Sequence, residues 1–210
     1  MSEASSTALI AAHPMATMVS SHDGQPHVVH LPLVLGDDGV LIGHLRGNNP
    51  YVEVLAAGAP TVAIFTGHHG YVSSSWYPAI GRDAAPTWNY TAVHCHGIPV
   101  LASDDAHTVR CVAALVEHLE GGRPNRWRMR ELGVDGIRRR TPKIIGFEMP
   151  VHRTETRRMM SDHERPTDTA AAIAVLADVN PGLAQEMAEE HGLAMPNGRD
   201  SATVTSNGER

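Results

Sequence analysis

Fourteen histidines stand in this 210-residue chain beside two phenylalanines and four tyrosines, and several of them are grouped. His68 and His69 are adjacent. His94 and His96 are two apart, which on an extended strand puts both rings on one face. A neutral imidazole is a metal ligand, a general base and a hydrogen-bonding group, so a group of them could hold a transition ion. A pair without a third ligand or a carboxylate is a weak metal signal, and His94, His96, His44 and His30 are expected to be structural barrel residues. Trp76, Tyr77, Trp88 and Tyr90 concentrate four of the nine aromatic residues in one short stretch. They suit either a core or the walls of a flat ligand. Arg123, Arg126, Arg128, Arg130, Arg138, Arg139, Arg140 and Lys143 are opposed within their own stretch only by Glu131 and Asp135. That stretch reads as a solvated, arginine-rich loop, or as a site for a phosphate, a propionate or a nucleic-acid backbone. Cys95 and Cys111 form no CxxC pair and are expected as buried thiols rather than zinc ligands.

The elements that must position these residues are mostly strands. Met15–Ser20 is apolar and runs into Ser21-His22-Asp23-Gly24, and Asp-Gly between two apolar runs predicts a tight hairpin. The return strand is His27–Leu35, and Val40–Leu45 follows a second turn at Gly36–Gly39. Asn49-Pro50 opens a short helix over Tyr51–Ala57, ended by Gly58. Thr61–Phe65 and His69–Ser75 read as two strands broken by a turn at Gly67, and Pro78–Pro86 as a loop. Trp88–His96 alternates, with Trp88, Tyr90, Ala92, His94 and His96 on one face and Asn89, Thr91, Val93 and Cys95 on the other. Ile98–Ala102 continues it. Ser103 is expected to cap a helix over Asp104–Glu120 that buries Val109, Val112, Ala113, Val116 and Leu119. Ile144–Arg153 returns as a strand, and Asp168–Ala177 and Gly182–His191 as helices.

Many short strands with few helices predict a mainly β, α+β protein built on a closed or half-closed barrel. The organisation expected is an N-terminal segment over 1–12, one domain over 13–192 and a disordered tail over 193–210. At 42% hydrophobic residues the chain can bury a core. It has no apolar run long enough to span a membrane. Its start lacks the basic and apolar regions of a secretory signal, which predicts a cytoplasmic location. The formal charge of −6 argues against nucleic acid as a partner of the whole surface.

From Ala63 to Gly97 the chain resembles the PaiB-like family, FMN-binding negative transcriptional regulators. The family's Gly-x-His-x-Tyr-x-Ser-Pro-Ser-Trp-Tyr pattern corresponds to Gly67, His69, Tyr71, Ser73, Ser75, Trp76 and Tyr77. Its Pro-Thr-Trp-Asn-Tyr is Pro86-Thr87-Trp88-Asn89-Tyr90, and its Ala-Val-His is Ala92-Val93-His94. His30-Leu31-Pro32, Gly43-His44-Leu45 with Asn49-Pro50, and Ile145-Gly146-Phe147-Glu148 agree as well. The resemblance covers about residues 13 to 177. It departs at Ser74, where the pattern has proline. It departs also at Met159-Met160-Ser161-Asp162-His163, where the pattern ends in two neutral amides.

The resemblance implies an FMN-binding-type split β-barrel that forms a homodimer with its cofactor between subunits. The same family contains heme-dependent piperazate synthases, which close N5-hydroxy-L-ornithine into L-piperazate with loss of water and formation of an N–N bond. An acid and an imidazole at Asp162 and His163, in place of amides, can move protons, and this favours the enzyme. On that reading the cofactor is heme b and the partner a small amino-acid substrate. His69 is the axial ligand, chosen over His68, His94 and His44 and weighed against a structural role. Tyr71, Trp76 and Trp88 wall the macrocycle, and Arg157 or Arg158 meets a propionate or the substrate carboxylate. Asp162, His163 or Glu148 supplies acid or base. The alternatives are an FMN-binding regulator and a flavin-dependent reductase on the same barrel. The chain has no glycine-rich dinucleotide fingerprint.

Overall fold

In the computed structural model, which describes residues 3–78 and 84–196, the Asp23-Gly24 turn joins β1 (Met15–His22) to β2 (Gln25–Pro32). Both turn residues have positive φ, 50° and 73°. That is the mirror-image turn whose twist matches its strands, and Gly24 accepts it without strain. The register runs from His22 opposite Gln25 to Met15 opposite Pro32. The remaining strands are β3 (Val34–Leu35), β4 (Val40–Arg46), β5 (Thr61–Val72), β6 (Thr87–Gly97), β7 (Val100–Leu101) and β8 (Ile144–Met159). They pair in the order β2-β1-β5-β6-β8-β4-β3, with β7 on β8. The described residues pack as two compact units, those within 1–67 and 91–158, and those within 68–90 and from 159 onward.

The first unit is the barrel. Met18, Ala63, Phe65, Val93, Cys95, Phe147, Met149, Leu41, Leu45 and Leu31 come from six strands and share one buried cluster. A flat sheet would spread these side chains out, so the strands must curl around a common axis. Beneath it Ser20 Oγ lies 2.5 Å from the Tyr51 hydroxyl and 2.6 Å from Thr61 Oγ1. The Thr61 hydroxyl donates to the Ala59 carbonyl at 2.9 Å, which satisfies this buried polar chain.

Four helices belong to this unit. α1 (Glu3–Ala12) lies within the expected N-terminal segment and buries Ile10 in the barrel core. α2 (Tyr51–Ala56) starts where the Asn49 carboxamide oxygen accepts from the Tyr51 N–H at 2.9 Å, and Gly58 ends the segment at φ 66°. α3 (Asp105–Glu120) is capped by Asp104, which accepts from the His107 N–H at 2.7 Å, and not by Ser103. Its buried residues are Thr108, Cys111 and Leu115. The helix is therefore rotated by about one residue from the valine-lined face, and Leu119 is exposed. The cause is Gly146 on β8. A Cβ there would stand 2.9 Å from Cys111 Sγ and 3.0 Å from Thr108 Cα, so the missing side chain admits this face of α3 against the strand. Thr108 Oγ1 accepts from the Gly146 N–H at 3.2 Å and fixes the contact.

The stretch 123–143 is not the arginine-rich loop expected. It carries α4 (Gly133–Arg140) between two short 3₁₀ turns. Three arginines sit in the last turn of α4, where the exposed carbonyls favour cations, and Arg140 donates to the Gly136 carbonyl at 3.0 Å. Arg126 pairs with Glu117 at 2.6 Å and Arg123 faces Glu120 at 3.9 Å. The acids of α3 thus offset charges that looked unopposed along the chain.

The second unit is built on α5 (Pro166–Val179) and α6 (Pro181–His191), with the ends of β5, β6 and β8. Asn180 caps α6 by accepting from the Leu183 N–H at 3.3 Å. Val72, Tyr77, Met160, Ile173, Leu176, Leu183 and Met187 form its core. β5 runs unbroken through Gly67 into this unit, so one strand of twelve residues replaces the two expected. Of the Pro78–Pro86 loop, residues 79–83 lie outside the described residues, as does the expected tail from 197 onward. Leu193 and Met195, before that point, pack against the second core. No helix among the described residues is long and apolar enough to cross a membrane.

Candidate functional site

Continuity of β5 decides what its two adjacent histidines can do. On an extended strand they point to opposite sides. The His68 ring Nδ1 meets Glu186 Oε1 at 2.7 Å. The His69 ring lies against Trp88 of β6, with centroids 5.9 Å apart and planes inclined by 30°. Trp88 Nε1–H donates to His69 Nδ1 at 3.3 Å, and Asn180 Nδ2 donates to the His69 carbonyl at 3.0 Å. Tyr71 is two residues along the same strand face and is 50% exposed, and Trp88 is 52% exposed. Aromatic rings left this open to solvent are suited to stacking on a planar ligand. Trp76 sits in the turn Ser74–Trp76 and packs against the second core. With Nδ1 accepting from Trp88, a neutral His69 carries its proton on Nε2. Ligation of a metal through Nε2 requires that proton to move to Nδ1 and Trp88 to release the ring.

The run 159–163 divides between inside and outside. Met160 and Ser161 are buried, Asp162 and His163 exposed. Ser161 has φ 64°, and its Oγ accepts from Asn89 Nδ2 at 2.8 Å. Asn89 Nδ2 also contacts Met187 Sδ at 3.3 Å. Beside them burial pushes the Tyr77 hydroxyl above its ordinary range. Tyr77, Asn89 and the late Ser161, one residue from each of three separate family blocks, therefore lie together inside the second unit.

Arg157 and Arg158 belong to the barrel unit. Arg157 donates to Glu155 Oε2 at 3.0 Å, and Arg153 pairs with the other oxygen of the same carboxylate. Two guanidiniums thus share one carboxylate, leaving a local excess of one positive charge. The Arg153 guanidinium also stands 3.2 Å from both ring nitrogens of His96. Burial, followed by that guanidinium, lowers the His96 pKa. Arg153 lines a cleft of about 490 Å³ together with His152 and the hydroxyl residues Ser6, Thr7, Thr154 and Thr156. Cys95 lies at its floor, and burial pushes that thiol up to about 11. Sequence reasoning passed over this cleft because α1 supplies Ser6 and Thr7 from outside the segment that carries the family pattern.

The other histidines divide by environment. His30 Nδ1 and the Thr17 hydroxyl are 3.0 Å apart. His44 Nδ1 is buried without a hydrogen-bond partner, and burial lowers its pKa. Glu148 faces His107 at 3.1 Å, both within the barrel unit.

Comparison with known proteins agrees with this geometry. The chain is 30% identical over 176 residues to Protease synthase and sporulation protein PAI 2 of Bacillus subtilis, covering 82% of this chain and 83% of that protein. Among solved structures, the FAD and heme binding protein from Mycobacterium smegmatis superposes with a TM-score of 0.60 at 20% identity, over 81% of this chain and 78% of that one. The flavocytochrome Anf3 from Azotobacter vinelandii gives 0.56 at 16% identity, over 80% and 73%. Both share the fold, a split barrel. The family model described as "Putative FMN-binding domain" matches residues 1–153, and with most of its length inside that match the chain belongs to this family.

Proposed function

We propose that the protein binds FMN, with the phosphate held in the cleft around Arg153. The observation that carries this reading is the cleft's composition. Four hydroxyl residues and a guanidinium surround a space large enough for a small ligand, beside a surplus of one positive charge. Phosphate oxygens take charge-assisted hydrogen bonds from such donors. The bound flavin supplies hydride and electron transfer. The chain's own residues bind and orient it, with Arg153 and the hydroxyls of Ser6, Thr7, Thr154 and Thr156 facing the phosphate. A homodimer with the cofactor between subunits goes with this reading.

His69 favours a second reading, a heme-dependent N–N cyclase acting on N5-hydroxy-L-ornithine. It occupies the histidine of the family pattern and stands exposed on an aromatic surface with Tyr71 and Trp88. When bound, heme supplies Lewis-acid iron that weakens an N–O bond. The chain would free the Nε2 lone pair of His69, hold a flexible substrate in a ring-like pose, and offer Asp162 or His163 to carry a proton.

A visible absorption spectrum of the purified protein, alone and after addition of FMN or hemin, tests both. Quenched flavin fluorescence at one FMN per chain supports the first reading. A sharp Soret band that His69→Ala abolishes supports the second. If neither ligand binds, both readings fall.

A further inference from the structure

One cluster of metal-ligating side chains shares no residue with the Arg153 cleft or the His69 surface. His107 and Cys111 are four residues apart on α3, so their side chains share one face. Glu148 stands on β8, the strand that this face packs against. We propose that His107 Nε2, Cys111 Sγ and a Glu148 carboxylate oxygen form a binding site for a thiophilic divalent transition ion of the Zn²⁺ or Co²⁺ type.

The three donor atoms lie within 4.8 Å of one another, and the His107–Glu148 pair is at 3.1 Å. Ligands at about 2.0–2.3 Å from a tetrahedral ion stand about 3.3–3.8 Å apart. The set is therefore about 1 Å or less from the spacing that an ion requires. The donors select the metal. A thiolate with an imidazole excludes magnesium and calcium, which prefer all-oxygen sites, and suits zinc or cobalt. Three protein ligands leave a fourth position for water or a small anion.

The backbone holds the cluster together. Gly146 permits the close approach of α3 that puts Cys111 against β8, and the Thr108–Gly146 hydrogen bond locks it. The β4 and β7 ladders place Glu148 opposite Ile42 on one side and Val100 on the other. An entry path exists, because the thiol is buried while the Glu148 side chain is 43% exposed and that of His107 19%. Without metal, the Ser103 N–H contacts His107 Nδ1 at 3.4 Å, so the ring proton sits on Nε2 and points at Glu148. On metal binding that proton moves to Nδ1, and the long Ser103 contact is given up. The thiol proton leaves to solvent, so one proton is released for each ion bound. None of the three residues lines the cleft proposed for FMN.

The test is titration of the chelator-treated, fully reduced chain with Co²⁺. The expected result is one ion per chain, with a near-ultraviolet thiolate-to-cobalt band and intense tetrahedral ligand-field bands, all bleached by Zn²⁺. Cys111→Ser should lose the charge-transfer band. Cys95→Ala should keep it. Glu148→Gln, at a half-exposed position that does not threaten folding, should keep the band and weaken Co²⁺ binding at least tenfold. Absence of a thiolate band in the native chain at saturating Co²⁺ would overturn the proposal. So would a band that survives Cys111→Ser, or affinity unmoved by Glu148→Gln.

Discussion

Asn89 and Ser161 are 72 residues apart in the chain, and the Asn89 carboxamide donates to the Ser161 hydroxyl at 2.8 Å inside the second unit. A buried polar pair that loses one member leaves the other desolvated and unmatched, which costs about 1–3 kcal/mol. Asn89→Ala should therefore lower stability by about 2–3 kcal/mol, cavity included. Ser161→Ala should cost less, and the pair should couple by about 1 kcal/mol in a double-mutant cycle. Urea denaturation of the four proteins measures this, and additive losses would show that the bond contributes nothing of its own.

His44 gives a pH dependence whose sign follows from its burial. Desolvation lowers its folded pKa below the ordinary 6.5. The unfolded chain then takes up a proton before the folded one does, so stability is present above about pH 6.5 and is lost as pH falls through the folded value. His44→Gln should flatten the fall in denaturation midpoint below pH 6.5. An unchanged slope would assign the acid sensitivity to other groups.

Arg153 tests the FMN cleft. Arg153→Met keeps the length of the side chain and removes the charge. FMN affinity should drop about 10- to 100-fold, or about 1.4–2.8 kcal/mol, as read by flavin fluorescence. In the same variant the His96 pKa should rise, because a neighbouring positive charge that lowers it is gone. NMR titration separates the two effects. A risen His96 pKa with unchanged FMN affinity would locate the phosphate elsewhere.

Trp88 tests the competition for His69. Trp88→Phe retains a ring for stacking and removes the N–H that occupies His69 Nδ1. If His69 ligates heme through Nε2, the variant should bind hemin more tightly, because no hydrogen bond is broken on ligation. Equal or weaker hemin binding would count against His69 as the ligand.

Gly146→Ala should push α3 away from β8, since its Cβ would meet Cys111 and Thr108 at 2.9–3.0 Å. Overpacking of this kind costs about 1–3 kcal/mol. Thermal denaturation should show the loss. Co²⁺ binding should weaken with it, because the helix carries two of the three proposed ligands.

Local chemistry was legible from the sequence alone. The Asp23-Gly24 hairpin, the helix opened at Asn49-Pro50 and the alternation of Trp88–His96 each depend on residues within a few positions of one another. The buried side of β6 is Asn89, Thr91, Val93 and Cys95, as that alternation requires. The family pattern supplied the barrel. Tertiary structure decided what depends on partners distant in the chain. Gly67 looked like a break, yet β5 passes through it as one strand of the sheet, between β1 and β6. The valines of α3 formed an apparent core face, yet Gly146 set a different face against the sheet. Asp162 and His163 carried the chemical interest of their run, while burial selected Ser161 for the hydrogen bond to Asn89. Arg153 became a cleft edge only when α1 supplied Ser6 and Thr7, and Cys111 met Glu148 only when α3 lay on β8. Periodicity and capping are short-range, whereas strand pairing and helix docking join residues whose separation in sequence carries no signal of their contact.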